Sequence, residues 1–549
     1  MELNEIILGI CAGLTHDGLG IIKTETIPVF VSGLLPSEKA KVKITYVHKK
    51  YALGKLEVLL LSSQNRVMPI CKKFGACGGC DLMHMTYQAT LDFKKQMVIE
   101  TLKRIGHLDK FPDPIIYGAS SPLYYRNKVQ IPFSTERGKV ICGFYKRKTH
   151  NVIQLEQCFI QPEMATDIAR FIKNLMNEFK ISAYDEVLKK GNVRHILVRN
   201  NQAGEYLVVI ITKEKELLTQ IANKIASRYP NVKGVIQNIN EKDNNVILGD
   251  NSHVLYGIDE LIEDVLGVKY RLSHKSFFQI NHDQTEVLYS EVLKFADLKS
   301  TDVVIDAYCG VGSISLLLAQ KAKHVYGVEI VKEAIDDANY NKQLNNIKNA
   351  TFYVGKAEDE IAKLMKLNAS CIVVDPPRKG CDEKMISSIL SSGIEKIVYV
   401  SCDPSTLARD LSVLQDKYNI SKLSLVDMFC YASHIETVVL LSHKSNNSKV
   451  NVNLNFDNEK GKKLIKKVVE DVDSRKEPEG ASYPEIKEYI LNKYNVKVSS
   501  LNIAQIKTKY GIIERECYNK PKSENSRQPN CTKEKEEMIV DALKHFKMI

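Results

Sequence analysis

Residues 302–320 read DVVIDAYCGVGSISLLLAQ: a short apolar run, a turn holding Gly310 and Gly312, then an apolar helical stretch. Four more apolar runs follow, HVYGVEI (324–330), CIVVDPP (371–377), IVYVS (397–401) and TVVLLSH (437–443), with room for helices between them. Short strands that are apolar on both faces and separated by helices predict a parallel, doubly wound sheet. Ligands of such sheets sit in the crevice outside the carboxyl ends of the strands. Residues 268–445 are therefore read as a Rossmann-like domain, and residues at its strand ends are the first candidates for function.

Gly310 and Gly312 allow a tight turn and close approach of backbone to ligand. Glu329 closes the next strand, where an acid accepts both hydroxyls of a ribose. Ser315 stands where the third glycine of a dinucleotide fingerprint would be, so the loop suits a ligand without phosphates. S-adenosylmethionine is one, and Asp306, before the turn, is placed to receive its ammonium. Asp375 in VVDPPRKGC faces the same crevice on a loop stiffened by two prolines. Arg378 follows them, where enzymes that methylate exocyclic amines tend to carry an aromatic. In IVYVSCDPSTLARD (397–410), Cys402 lies at the lip of a buried strand beneath a helix N-terminus. A thiolate is favoured there; the plainer reading is a small buried hydrophobe.

The chain has 549 residues, enough for several domains, of which 44% are hydrophobic and 26% charged. No apolar run approaches the length of a membrane span. The opening MELNEIILGICAGL carries acid where a signal peptide would be basic, so a cytoplasmic location is expected. In that compartment 13 cysteines suggest metal ligands or reactive thiols rather than disulfides. Net charge is +11, and basic residues cluster with Tyr, His and Phe in KAKVKITYVHKKYALGK (39–55) and FYKRKTH (144–150), and again in KGKKLIKKVV (460–469). Such groups fit a nucleic-acid surface, although each is also an ordinary solvated face. With no Trp, base stacking would fall to Phe, Tyr or His.

Alternation and turn signals over 1–61 predict a small, OB-like β-barrel. Residues 62–267 read as a cysteine-rich and α+β domain. Residues 446–475 are polar and turn-rich, hence a linker, and 476–549 hold helical patterns of helix-turn-helix type. Within CKKFGACGGCDLMH, Cys71, Cys77 and Cys80 have metal-ligand spacing, with glycines that let backbone wrap a bulky group. Cys158 is the best fourth ligand, ahead of Cys142, with His84 a further alternative. Spacing leaves zinc and a [4Fe–4S] cluster both open.

Taken together, FGACGGCDLMHMTYQ, YYRNKVQIPF, SFFQIN, DAYCGVGSISLLLA, GVEIV, DPPRKG, VSCDPSTLARDL and HIETVVLL resemble the RNA uracil-C5 methyltransferase family. They are most similar to its branch with a TRAM barrel and a [4Fe–4S] cluster, which modifies 23S rRNA. The resemblance spans about residues 1–445. It implies a multidomain α/β protein with TRAM, central, Rossmann-like and C-terminal helical parts. It also implies methylation of uridine C5 in 23S rRNA by S-adenosylmethionine, with Cys402 as nucleophile and Glu436 as base. Partial burial at a strand entry would raise Glu436 toward a useful pKa. By the same resemblance Gln279, Tyr308, Glu329 and Asp375 contact S-adenosylmethionine, and the cysteines carry the cluster. Arg126 and Lys128 are candidate RNA contacts. Of Phe277 and Phe278, adjacent on extended backbone, one is expected to be buried. RNA is the expected partner, with no membrane and no obligate protein partner. The alternatives are a tRNA T-loop uridine as target, or a catalytically idle RNA-binding or assembly protein.

Overall fold

The computed structural model describes residues 1–216, 218–444, 483–510, 531–546 and 548. Contacts divide the chain into Met1–Ser448 and Lys449–Ile549. The stretches read as a linker (446–475) and as a basic group (460–469) lie outside the described residues.

β1 (Ile6–Leu14), β2 (Gly20–Ile22), β3 (Val29–Val31), β4 (Lys39–Val47) and β5 (Ala52–Leu61) close a barrel in the order β1-β2-β3-β5-β4. Period-2 alternation makes it: on β4, Ala40, Val42 and Ile44 point inward while Lys39 and Lys41 face solvent.

The cysteine-rich turns lead into α1 (Tyr87–Arg104) and β6 (Ile115–Tyr117). Next come β7 (Lys128–Glu136), β8 (Lys139–Tyr145), β9 (Val152–Gln154), α2 (Glu163–Glu178), β10 (Val193–Asn200), β11 (Tyr206–Thr212), α3 (Thr219–Arg228), β12 (Val232–Ile239) and β13 (Asn251–Gly257). Seven of these strands form a sheet in the order β13-β12-β11-β10-β7-β8-β9, with Ile168, Ile172 and Met176 of α2 and Ile221 and Ile225 of α3 in its core. A hairpin of β14 (Glu260–Val265) and β15 (Val268–Ser273) follows.

The Rossmann-like part contains α4 (His282–Ala296), β16 (Val303–Ala307), α5 (Ser313–Ala319), β17 (His324–Glu329), α6 (Lys332–Leu344), β18 (Ala350–Val354), α7 (Ala357–Leu364), β19 (Cys371–Val374), α8 (Glu383–Ser392), β20 (Lys396–Ser401), α9 (Pro404–Leu414), β21 (Tyr418–Val426) and β22 (Glu436–His443). Its sheet runs β18-β17-β16-β19-β20-β22-β21-β6, with β22 antiparallel to both neighbours. Successive residues feed opposite cores: Ile305, Ile372 and Ile397 on one face, Val304, Val373 and Val398 on the other.

One boundary differs from the expectation. α1 and β6 belong by sequence position to 62–267, yet β6 pairs with β21, and Val98 and Leu102 of α1 share a core with Ile305 of β16 and Ile372 of β19. Chain order does not reveal a strand added to a sheet from three hundred residues away, because no local periodicity encodes it.

In the second unit, α10 (Tyr483–Tyr494), α11 (Ser500–Lys509) and α12 (Lys533–His545) share a core of Ile486, Ile490, Ile503, Ile506, Ile539 and Leu543. Ser499 and Asn502 form a capping box at the start of α11. Among the described residues no helix is long and apolar enough to cross a membrane.

Candidate active site

The crevice is built at one edge of the Rossmann-like sheet. Parallel pairing aligns the carboxyl ends of β16, β17 and β19, so Tyr308, Glu329 and Asp375 emerge there or just beyond. The turn after β16 is left-handed at Tyr308 (φ 70°), Gly310 (φ 54°) and Gly312 (φ 80°). A Cβ on Gly310 would meet nothing within 4 Å, so the turn is open above it. Glu329 is oriented by backbone N–H groups: Gly310 N donates to Oε2 (3.3 Å) and Val331 N to Oε1 (2.9 Å).

Asp306 is buried, and its Oδ2 accepts a hydrogen bond from Ser315 Oγ (2.5 Å). Its Oδ1 is buried without a partner. Burial, reinforced by Asp375 and Glu329 against the Ser315 hydrogen bond, pushes Asp306 up to about 7. A cationic group entering the crevice would meet this orphan acceptor and restore its charge. Burial likewise pushes Asp375 up to about 7. Gln279 is buried, and its carbonyl is held by Asn127 Nδ2 (2.9 Å). These residues fit the zwitterion and ribose of S-adenosylmethionine in the chemistry of their donors and acceptors.

Cys402 follows the last residue of β20, and Glu436 is the first of β22. The last rung between these antiparallel strands pairs Ser401 with Thr437, and continuing the register by one rung sets Cys402 opposite Glu436. Glu436 is buried at 3% exposure. Burial, with the Asp375 charge and against that of Arg378, pushes it up to about 8.

The expectation that the helix terminus favours a Cys402 thiolate is corrected. Asp403 caps α9, its carboxylate accepting from Ser405 N (2.8 Å) and Thr406 N (3.3 Å). The donors that would have stabilised a thiolate are thus occupied. Burial, then Glu436 and Asp375, push the Cys402 thiol up to about 11, against the Arg378 guanidinium. Arg378, read in the sequence only as a missing aromatic, is a cation whose field reaches both Cys402 and Glu436.

A base must be deprotonated to act. With Glu436 at about 8 and the Cys402 thiol at about 11 both having to lose a proton, kcat/KM should climb at least about tenfold per unit as pH rises from 6 toward 8. A profile flat over that range would contradict the raised pKa values of these two groups.

Cys71, Cys77, Cys80 and Cys158 line one cavity of 440 Å³, with Arg126, Lys128 and Phe277 on its wall. Burial raises Cys158 to about 11 and Cys80 further, and the neighbouring cysteines add to both. As the side chains stand, however, no three His, Cys, Asp or Glu among the described residues form a group able to hold a metal ion. The four thiols share a cavity without meeting at a point. Cys142 is buried instead in the core between the central sheet and α2. His84 is buried against Phe74 (5.1 Å), and burial lowers it to about 4. Phe278 is buried, whereas Phe277 is 74% exposed. Burial, with Arg199 nearby, lowers Lys128 to about 7, so this side of the cavity carries less charge than the sequence suggests.

The model of the family described as tRNA (Uracil-5-)-methyltransferase matches residues 86–444. The chain belongs to that family. A TRAM domain model matches residues 12–56, within the barrel. Two similar proteins are named uncharacterized RNA methyltransferase. The one from Bacillus cereus is 44% identical over 80% of this chain and 97% of its own length. That from Clostridium tetani is 45% identical over 80% and 96%. A solved structure of Pyrococcus abyssi tRNA (uracil-54, C5)-methyltransferase in complex with S-adenosyl-L-homocysteine superposes with a TM-score of 0.66 at 25% identity, covering 79% of this chain and 99% of that one. The family match therefore takes in β6, the central sheet and the whole candidate crevice. It stops before the helices of the second unit.

Proposed function

We propose that this family member methylates C5 of uridine in RNA, in the cytoplasm, with S-adenosylmethionine as donor. The observation that carries the reading is Cys402 and Glu436 at facing ends of antiparallel β20 and β22, beside the crevice of Asp306, Glu329 and Asp375. The Pyrococcus abyssi structure holds S-adenosyl-L-homocysteine, the demethylated form of that donor, which supports the cofactor. Gln279, Tyr308, Glu329 and Asp375 would hold it, with Asp306 receiving the ammonium.

The chemistry follows from what uracil lacks. Its C5 is too weak a nucleophile to take a methyl group unaided. The Cys402 thiol gives up its proton to solvent, Arg378 favouring the anion, and Sγ bonds to C6. The C5–C6 π electrons move into an enolate, and C5 gains nucleophilic character. S-adenosylmethionine supplies the electrophilic methyl. Glu436 then takes the C5 proton, the C5–C6 double bond re-forms and the C6–S bond breaks, returning the thiolate. The target base must leave its stack to meet Cys402, which suits a loop or unpaired site.

For the substrate we infer 23S rRNA, because the TRAM barrel and the cysteine array accompany rRNA enzymes in the branch that the sequence resembles. A second reading, a T-loop uridine of tRNA, is favoured by the likeness to the Pyrococcus abyssi tRNA enzyme. Mass spectrometry of nucleosides from separately treated, unmodified 23S rRNA and tRNA decides between them. Methyl-labelled 5-methyluridine in rRNA alone is expected; the same product in tRNA alone would keep the chemistry and overturn the substrate.

We also propose a [4Fe–4S] cluster in the cysteine cavity, on the donor chemistry of soft thiols lining one pocket. Cys71, Cys77, Cys80 and Cys158 would hold it after their side chains turn inward, and its role would be structural, since uracil methylation transfers no electrons. Protein purified without oxygen should be brown and carry about four irons per chain, and Cys71→Ser should lose them. A colourless protein with one zinc would replace the cluster with a zinc site.

A further inference from the structure

Glu436 is preceded by a nine-residue loop, 427–435, that has no regular structure and yet is fastened along its length. Asp427 and Lys94 are both fully buried, and Lys94 Nζ donates to Asp427 Oδ1 (2.5 Å) and to the Phe429 carbonyl (3.0 Å). Tyr87 OH donates to Asp427 Oδ2 (2.8 Å) while accepting from Ala119 N (2.7 Å). Tyr125 OH donates to the Cys430 carbonyl (3.2 Å). The Tyr431 carbonyl accepts from Asp81 N and Leu82 N, both at 2.9 Å. Asp81 Oδ2 accepts from Ser433 N (3.2 Å), and its Oδ1 accepts from Arg147 (2.7 Å). Tyr431 holds a left-handed conformation (φ 62°) within this set of bonds.

A base needs its orientation held to within fractions of an ångström, and Glu436 is the residue at which this loop re-enters the sheet. The active-site edge supplies none of the anchors above. They come from α1, from the segment before β7 and from the cysteine-rich loop, whose Cys80 is the neighbour of Asp81. We propose that Asp81, Lys94 and Tyr87 are positioning residues for the base, and that the cysteine loop thereby governs the proton-abstraction half of the reaction rather than methyl transfer. The inference rests on the assignment of Glu436 as base.

The test separates the two halves by the enzyme–RNA adduct that survives denaturation when Cys402 has added to C6 and C5 still carries its proton. Asp81→Ala is the first variant, since Asp81 is partly exposed and its loss unpairs no buried charge. Tyr87→Phe is the second, and it leaves the Lys94–Asp427 pair intact. Each is compared with wild type and Glu436→Gln, using saturating unmodified 23S rRNA and tRNA and methyl-labelled S-adenosylmethionine. The expected result for both variants is methyl-labelled adduct, a kcat about tenfold lower, and unchanged KM and single-turnover methyl transfer. Rescue of Asp81→Ala turnover by Asp81→Asn, which keeps an acceptor for Ser433 N, is also expected. Wild-type kcat in both variants, or a loss confined to KM or shared equally by methyl transfer, overturns the proposal. If Glu436→Gln itself forms no adduct, the assignment of the base falls, and the proposal with it.

Discussion

Cys402→Ala is expected to abolish formation of 5-methyluridine, lowering turnover by about 10⁴-fold or more, the scale of removing the nucleophile from an enzyme that works by covalent catalysis. Cys402 is half-buried beside Asp403, whose cap bonds to Ser405 and Thr406 do not involve the thiol. Folding and RNA affinity should therefore survive the substitution. Binding of RNA by filter retention, set beside labelled-methyl incorporation, checks both. Residual methylation within tenfold of wild type would mean that C5 is activated without a covalent bond to this sulfur. Loss of RNA binding together with activity would mean that Cys402 holds up the structure of the site.

Glu436→Gln is the complementary case and fails at the other end of the cycle. The amide keeps the shape of the buried side chain and cannot take the C5 proton. Turnover should fall by about 10²–10⁴-fold, while Cys402 still adds to C6 and the methyl group still arrives. The diagnostic result is a methylated, covalent enzyme–RNA species that accumulates in denaturing gels. A second effect follows from the electrostatics. Glu436 is the largest charged contributor to the raised Cys402 pKa, so its removal lowers that pKa, and alkylation of the free enzyme by iodoacetamide near pH 8 should quicken. An unchanged alkylation rate would place the two groups too far apart to interact. Absence of adduct would move the base elsewhere.

Much of the crevice was legible because its residues sit at the ends of apolar runs. Glu329 terminates a strand, Asp375 and Cys402 each follow one, and Asp306 lies one residue before the end of another; period and composition reveal these strands, and the doubly wound sheet then puts the four residues on one edge. What could not be read belongs to long-range packing. Nothing local in residues 115–117 marks them as an eighth strand on a distant sheet, and Lys94 reads as one lysine in a helical FKK. Its burial against Asp427 becomes visible only in the folded chain, where the two residues pair. The reading of Cys402 as an activated thiolate missed for a local reason. The Asp403 carboxylate caps the helix and takes up the donors that would have lowered the thiol. Arg378 was legible as a residue and not as a charge, because the turn that brings it toward Cys402 and Glu436 is set by the prolines before it. The cysteines were legible as a motif, while their side chains in the folded chain share a cavity without closing on one point.

The measurement that bears most directly on the central claim uses RNA carrying tritium at uridine C5, incubated with the enzyme and methyl-labelled S-adenosylmethionine. Substitution at C5 through Cys402 and Glu436 predicts one tritium released to water for each methyl group incorporated, from wild type and not from Cys402→Ala. Methyl incorporation with all tritium retained would put the methyl group on another atom, and RNA binding with neither event would make the chain a binding protein that keeps the fold of an enzyme.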